Sequence, residues 1–254
     1  MNNFFNIQRF INLLKRQFIL NSKSIFIGLG AASGILFLIF TIVASTQGKC
    51  LYNEQVSSMY NVYFIAGYII SSRLFKELSD SRTGYLYLTL PASNFEKLLA
   101  GWLYSSVLYS IVSVVLIIII TSLANFIASL IIGFEFTPFN YDFKYIMLAV
   151  GVYMITQSVF ILGSATFKKQ AFLKTLLALF IFAVSFSLIT GFLTWGIVGK
   201  FNIHMEPTDF KHLPPGLEYF FEVQFPVIAK IVFWYLTAPF ILLISYFKLK
   251  ESEV

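Results

Sequence analysis

Residues 98–125, LLAGWLYSSVLYSIVSVVLIIIITSLAN, run for 28 positions without a charged side chain. A helix rises 1.5 Å per residue, so about 20 apolar residues cross a hydrocarbon core about 30 Å thick. The stretch is long enough to span a bilayer with some tilt, and it is bracketed by Glu96 and Lys97 on one side and by Asn125 on the other.

Working outward, five further apolar runs stand at residues 24–46, 59–75, 145–167, 171–198 and 225–247. Over the whole chain 58% of residues are hydrophobic and only 12% charged, with a mean hydropathy of +0.79. A soluble domain carries about 25% charged residues. So few charges cannot cover a water-facing surface, and lipid is the solvent this composition fits. The 30 Phe and 14 Tyr suit both hydrocarbon and interface. The expected fold is an all-α membrane protein of six transmembrane helices. The span at 59–75 is the weakest of them, being short and carrying Asn61 and interior tyrosines. Residues 126–133 extend the third run and are expected to form a short outer helix. No repeat and no Ser/Gly-rich linker divides the chain, so residues 24–247 read as one membrane domain, with a tail at 248–254.

The net charge of +6 lies between the apolar runs rather than on a patch that would suit nucleic acid. Arg9, Lys15, Arg16 and Lys23 precede the first run. Arg73, Lys76, Arg82 and Lys97 flank the loop between the second and third, Lys168, Lys169 and Lys174 that between the fourth and fifth, and Lys248 and Lys250 close the chain. These are 13 of 18 basic residues, against Lys49, Lys144, Lys200, Lys211 and Lys230 on the alternate side. The positive-inside rule then places both termini in the cytoplasm, with the protein in the inner (cytoplasmic) membrane.

Residues 1–23 form a segment of their own. Phe4, Ile7, Phe10, Ile11, Leu14 and Phe18 fall on one helical face, with Arg9, Lys15 and Arg16 largely off it. The expectation is an interfacial amphipathic helix that turns at Asn21-Ser22 into the first span, a retained anchor rather than a cleaved signal. Within that span Gly28, Gly30 and Gly34 include a small-xxx-small pair suited to close helix packing.

Residues for chemistry are scarce. Cys50 is the sole cysteine, which excludes an intrachain disulfide. Asn61, Asn125 and Gln157 are the main amides in the spans, and bonding between helices is their expected role. His204, Glu206, Asp209 and His212 have metal-ligand chemistry, but they lack zinc-helix spacing and cysteine partners and read as a solvated outer loop with no metal. Gly199-Lys200 is followed by Phe201 and lacks the upstream glycine of a phosphate-binding loop. The chain is therefore expected to have no catalytic residues and no cofactor of its own.

The segment ahead of the third run is more informative. Ser93 and Glu96 have the S-x-x-E spacing of a helix capping box, with Pro91 upstream. They lie in Leu90-Pro91-Ala92-Ser93-Asn94-Phe95-Glu96-Lys97, after Leu74-Phe75-Lys76-Glu77. This stretch resembles the ABC-2 type transporter permeases, in particular small six-span members with an LP-[AV]-S-x-x-EK motif between spans two and three. The layout matches over most of the chain: an amphipathic inner helix, a long inner loop after span two, and an outer segment before span six.

The resemblance implies an exporter subunit that works with a second permease chain, as a homo- or heterodimer, in the lipid bilayer. It implies a separate ABC ATP-binding subunit that holds ATP and Mg. Phe75, Lys76, Glu77, Asp80, Arg82, Pro91, Ser93, Glu96 and Lys97 would form the ATPase-coupling loop. Phe4 to Leu20 would be the connecting helix beside it, and residues 213–224 a re-entrant outer element. The rival reading is a non-transporting polytopic membrane protein, such as an immunity, sensory or assembly factor.

Overall fold

The computed structural model describes residues 5–47, 52–79, 81–133, 142–167, 169–201 and 219–251, and among these every regular element is helical. Helix α1 spans Ile7–Gln47 and α2 Tyr52–Ser72. A 3₁₀ turn at Lys76–Ser79 leads to the short α3, Ser81–Leu88. Then come α4 (Asn94–Leu103), a π-helical turn (Tyr104–Leu108) and α5 (Tyr109–Ile132), which together make one rod. Helices α6 (Phe143–Thr166), α7 (Ala171–Phe201), α8 (Phe225–Ile231) and α9 (Thr237–Glu251) complete the chain.

Four helical stretches among the described residues are long and apolar enough to cross a membrane: Asn94–Ile131, Phe143–Thr166, Ala171–Leu193 and Phe225–Glu251. In α1 the apolar part, Gly30–Ile42, is shorter. Helix α2, where a second span was expected, carries Tyr63, Tyr68 and Ser71, which turn inward (below), and Asn61, which is exposed.

Two boundaries differ from expectation. Helix α1 is continuous for 41 residues and does not turn at Asn21-Ser22. There the Ser22 hydroxyl donates to the Ile19 carbonyl at 2.9 Å, so the polar residue satisfies itself inside the helix. Residues 126–132 form no separate outer helix. They continue α5, which ends at Gly133, whose φ of 77° is the left-handed conformation that closes a helix.

The rods pack lengthwise. Phe10 and Leu13 of α1 cluster with Ala100 of α4, while Leu36 and Phe40 cluster with Met59 of α2 and Ala124 of α5. Helix α1 and the α4–α5 rod therefore run in the same direction, side by side, over about three-quarters of the length of α1. In a bilayer such contacts rest on close fit, because lipid chains are as apolar as leucine. The fit is tight where glycines admit a neighbour: a Cβ on Gly67 would overlap the Tyr153 ring, one on Gly101 the Leu74 side chain, and one on Gly163 the Thr175 hydroxyl. At Gly28, Gly30 and Gly34, by contrast, no such neighbour approaches.

At one end of the bundle Leu74, Phe75, Tyr87, Leu98, Tyr104, Ile161 and Leu249 form a single buried cluster. It gathers the end of α2, α3, the start of α4, the end of α6 and the end of α9.

The π turns have local causes. Pro226 follows the turn at Phe220–Gln224, and Pro239 follows the turn at Val232–Leu236. Proline cannot donate to the carbonyl four residues back, and the helix widens ahead of it. At the second turn the Thr237 hydroxyl takes up the Val232 carbonyl at 3.1 Å.

Candidate functional site

The site is built where the two segments singled out in the sequence meet. Ser93, with extended backbone (φ −71°, ψ 154°), caps α4: its hydroxyl accepts the Glu96 N–H at 3.2 Å, and its own N–H donates to Glu96 Oε2 at 2.9 Å. The capping box thus forms as its spacing predicted. Glu96 does more than cap. Its Oε1 accepts the Asn6 N–H at 2.6 Å and the Arg9 guanidinium at 3.2 Å, and the side chain is fully buried. Asn6 caps α1 in turn, its side-chain oxygen accepting the Gln8 N–H at 2.9 Å. One carboxylate therefore joins two helix N-termini, where both dipoles favour negative charge.

A second pair lies two turns along α1, where Arg16 meets Glu77 at 2.8 Å. The buried Tyr87 ring of α3 stands beside the second pair, with the Arg16 guanidinium 5.9 Å and the Lys97 ammonium 5.4 Å from its centroid. Magnitudes rank these contacts. A pair exposed by about a third contributes roughly 0.2–1 kcal/mol, whereas stripping a partner from a buried charge costs about 3–5 kcal/mol. Glu96 is the node, and Arg16–Glu77 is a brace.

The nine coupling-loop residues thus divide. Phe75, Glu96 and Lys97 are buried, Ser93 is half-buried as the cap, and Glu77 is engaged with Arg16. Lys76 and Pro91 are exposed. Asp80 and the Arg82 side chain lie outside the described residues, as do Phe4, Cys50, the His204–His212 cluster and residues 213–218. The sequence reading missed the outward-facing aromatics of this loop, Tyr85 of α3 (69% exposed) and Phe95 of α4 (39%). It also missed Asn6, whose signal was legible as an N-cap residue ahead of the periodic run.

The expected apolar face of the N-terminal helix divides as well. Phe10, Leu13 and Leu14 pack on α4, while Ile7, Ile11 and Phe18 remain exposed. Arg9 and Arg16, assigned to the solvent face, turn toward Glu96 and Glu77; Lys15 stays exposed. The segment docks on the bundle with one stripe and offers another to its surroundings.

Above this assembly lies a polar core inside apolar helices. Tyr153 of α6, wholly buried, donates to the Ser105 carbonyl at 2.8 Å and contacts the Ser71 hydroxyl at 3.4 Å. Ser71 donates to Gln157 Oε1 at 3.0 Å, so Gln157 does bond between helices as expected. Tyr109 donates to the Tyr63 carbonyl at 2.7 Å, and Tyr63 shares a hydrogen bond with Ser110 at 2.8 Å. Ser105 lies in the π turn, which has no proline to cause it; there the hydroxyls of Ser105 and Ser106 bond back to the Trp102 carbonyl. The widened turn leaves the Ser105 carbonyl open to a donor from another helix.

No family model, no curated protein and no solved structure matches this chain.

Among the described residues no three His, Cys, Asp or Glu side chains gather as a metal site. The arrangement at this end of the bundle offers mechanical connection: two charged links, one buried cluster and two exposed aromatic side chains.

Proposed function

We propose that this chain is the transmembrane permease subunit of an ABC-2 type ATP-driven exporter, with six spans, both termini cytoplasmic and ATP hydrolysis on a separate subunit. The observation that carries the reading is the Glu96 node, which makes the N-terminal helix and the 74–97 segment one body. In this reading Lys76, Tyr85, Pro91 and Phe95 form the surface that receives the ATPase. A push there moves α1 and the α4–α5 rod together, which is the rigid-body switching that alternating access requires. A second permease chain completes the transporter. Support for the topology comes from the gathering of the ends of α2, α6 and α9 with the starts of α1 and α4, as an even number of crossings demands. The first span is then the middle and far part of α1, and the second is α2, whose Tyr63, Tyr68 and Ser71 are spent on the tyrosine core rather than exposed to lipid.

The test is a mild-detergent pull-down from native membranes with mass spectrometry of the co-purifying chains. It is repeated with Lys76→Glu and with Tyr85→Ala/Phe95→Ala, which leave the internal ion pairs intact. Recovery of an ATPase that both variants weaken supports the reading. Absence of an ATPase under conditions that hold a known transporter together overturns it in favour of a non-transporting membrane protein.

A further inference from the structure

Helix α1 and the α4–α5 rod meet at Ala100 and again at Ala124, and between these contacts a groove of about 550 Å³ lies along their seam. Phe18 and Ile19 of α1 and Val107, Leu108 and Ile111 of the rod supply apolar walls, and all but Val107 are exposed. Tyr104, Val107 and Leu108 belong to the π turn. The wider winding there interrupts the side-chain spacing on which α1 packs at Ala100, and the seam is left unfilled.

Tyr104 is the residue that calls for a ligand. It lines the groove and is 3% exposed, and its hydroxyl, closed off from solvent, has no hydrogen-bond partner among the described residues. A buried donor without an acceptor is costly, and the apolar walls offer it none. In a bilayer the acceptors closest to hydrocarbon are the ester carbonyls that join acyl chains to glycerol. Lys15, exposed, is the one charged residue among those described along the groove, and its long stem lets the ammonium reach outward to a phosphate. The order along the seam is that of a phospholipid. Counting from the contact of Leu13 with Ala100, Lys15 lies about 3 Å onward, Tyr104 about 6 Å and Ile111 about 16 Å.

We propose that this groove holds one acyl chain of a membrane phospholipid, with the Tyr104 hydroxyl donating to the ester carbonyl. The inference rests on the membrane reading and is independent of ATP-driven transport.

The experiment uses the full chain in nanodiscs of diacyl phosphatidylcholine, competed by the dialkyl ether analogue that differs in lacking the two carbonyls. Lipid retained on the protein is read by native mass spectrometry. Wild type is expected to prefer the ester lipid about fivefold, and Tyr104→Phe to hold both lipids equally. In detergent Tyr104→Phe is expected to melt at or above the wild-type temperature, since the hydroxyl has no internal partner to lose. A phosphatidylcholine with a photoreactive acyl chain is expected to label Ile19 and Ile111 more heavily than Phe182 of α7, which is 71% exposed but borders no groove. Equal retention of the two lipids by wild type overturns the proposal, as does an ester preference that survives Tyr104→Phe. A lower melting temperature for Tyr104→Phe in detergent would reveal an internal acceptor and overturn it. Displacement of the ester lipid by palmitate at equal concentration would make the occupant a free fatty acid. Crosslinking of Ile111 to a second copy of the chain, in place of lipid, would make the groove a protein interface; either result overturns the proposal too.

Discussion

The carboxylate of Glu96 accepts the backbone N–H of Asn6 at 2.6 Å, across 90 residues of sequence. With the Ser93 N–H and the Arg9 guanidinium it completes a four-residue node around one buried carboxylate. Arg9→Ala leaves the buried Glu96 carboxylate without its counter-charge and is expected to cost about 3–5 kcal/mol. Arg16→Ala, at the half-exposed brace, is expected to cost less than about 1 kcal/mol. Thermal unfolding of both variants in one detergent measures the ranking; comparable losses would remove Glu96 from its central place.

Glycine substitutions separate internal packing from packing between chains. Gly67→Ala drives a methyl group into the Tyr153 ring and is expected to destabilise by about 1–3 kcal/mol. Gly34→Ala meets nothing within 4 Å and is expected to leave monomer stability equal or up to about 1 kcal/mol higher. If a second chain packs on the Gly30/Gly34 face, Gly34→Ala lowers the dimer fraction in crosslinking without lowering the thermal midpoint.

Tyr153→Phe removes one donor and keeps the ring. The loss of the bond to the Ser105 carbonyl is expected to cost about 0.6–2 kcal/mol, the range for polar contacts between membrane helices. Ser105→Ala, which keeps the carbonyl, is expected to change little. A double-mutant cycle on these two positions therefore gives a coupling near zero, and a large coupling would contradict the assignment of the backbone oxygen as acceptor.

Accessibility tests the exposed face and the proposed orientation together. In a Cys50→Ser background, Tyr85→Cys is expected to react with a membrane-impermeant maleimide from the cytoplasmic side alone. Phe75→Cys, at a position 1% exposed, is expected to react slowly from either side. Labelling of Tyr85→Cys from the outer side would reverse the topology.

What the sequence disclosed was local. The uncharged run 98–125 and the S-x-x-E spacing at Ser93–Glu96 encode a long apolar helix and its cap, since both depend on neighbours within a few positions. The Asn6–Glu96 bond was illegible because nothing in either segment names the other. The π turn at Tyr104–Leu108 was equally hidden, its open carbonyl answered by Tyr153, 48 residues on. The interior tyrosines of α2 looked like a weakness in a span, because hydropathy scores a phenol without knowing that Ser110 or Thr156 awaits it. The inward turn of Arg9 and Arg16 escaped for a related reason: periodicity sorts apolar from charged positions, but not which charges find a partner.

The unbroken course of α1 has a mechanical consequence. Forty-one residues without a joint make a bar about 60 Å long, pinned near its first turn at Glu96 and lying against α5 toward its far tip. Such a bar has no hinge in which to absorb a tilt. Rocking it by about 5° about the Glu96 pivot swings the distant end by about 5 Å, roughly the width of a side chain. A small tilt at the Glu96 end, shared by α1 and the α4–α5 rod, thereby becomes a displacement of side-chain width at the opposite end of the bundle.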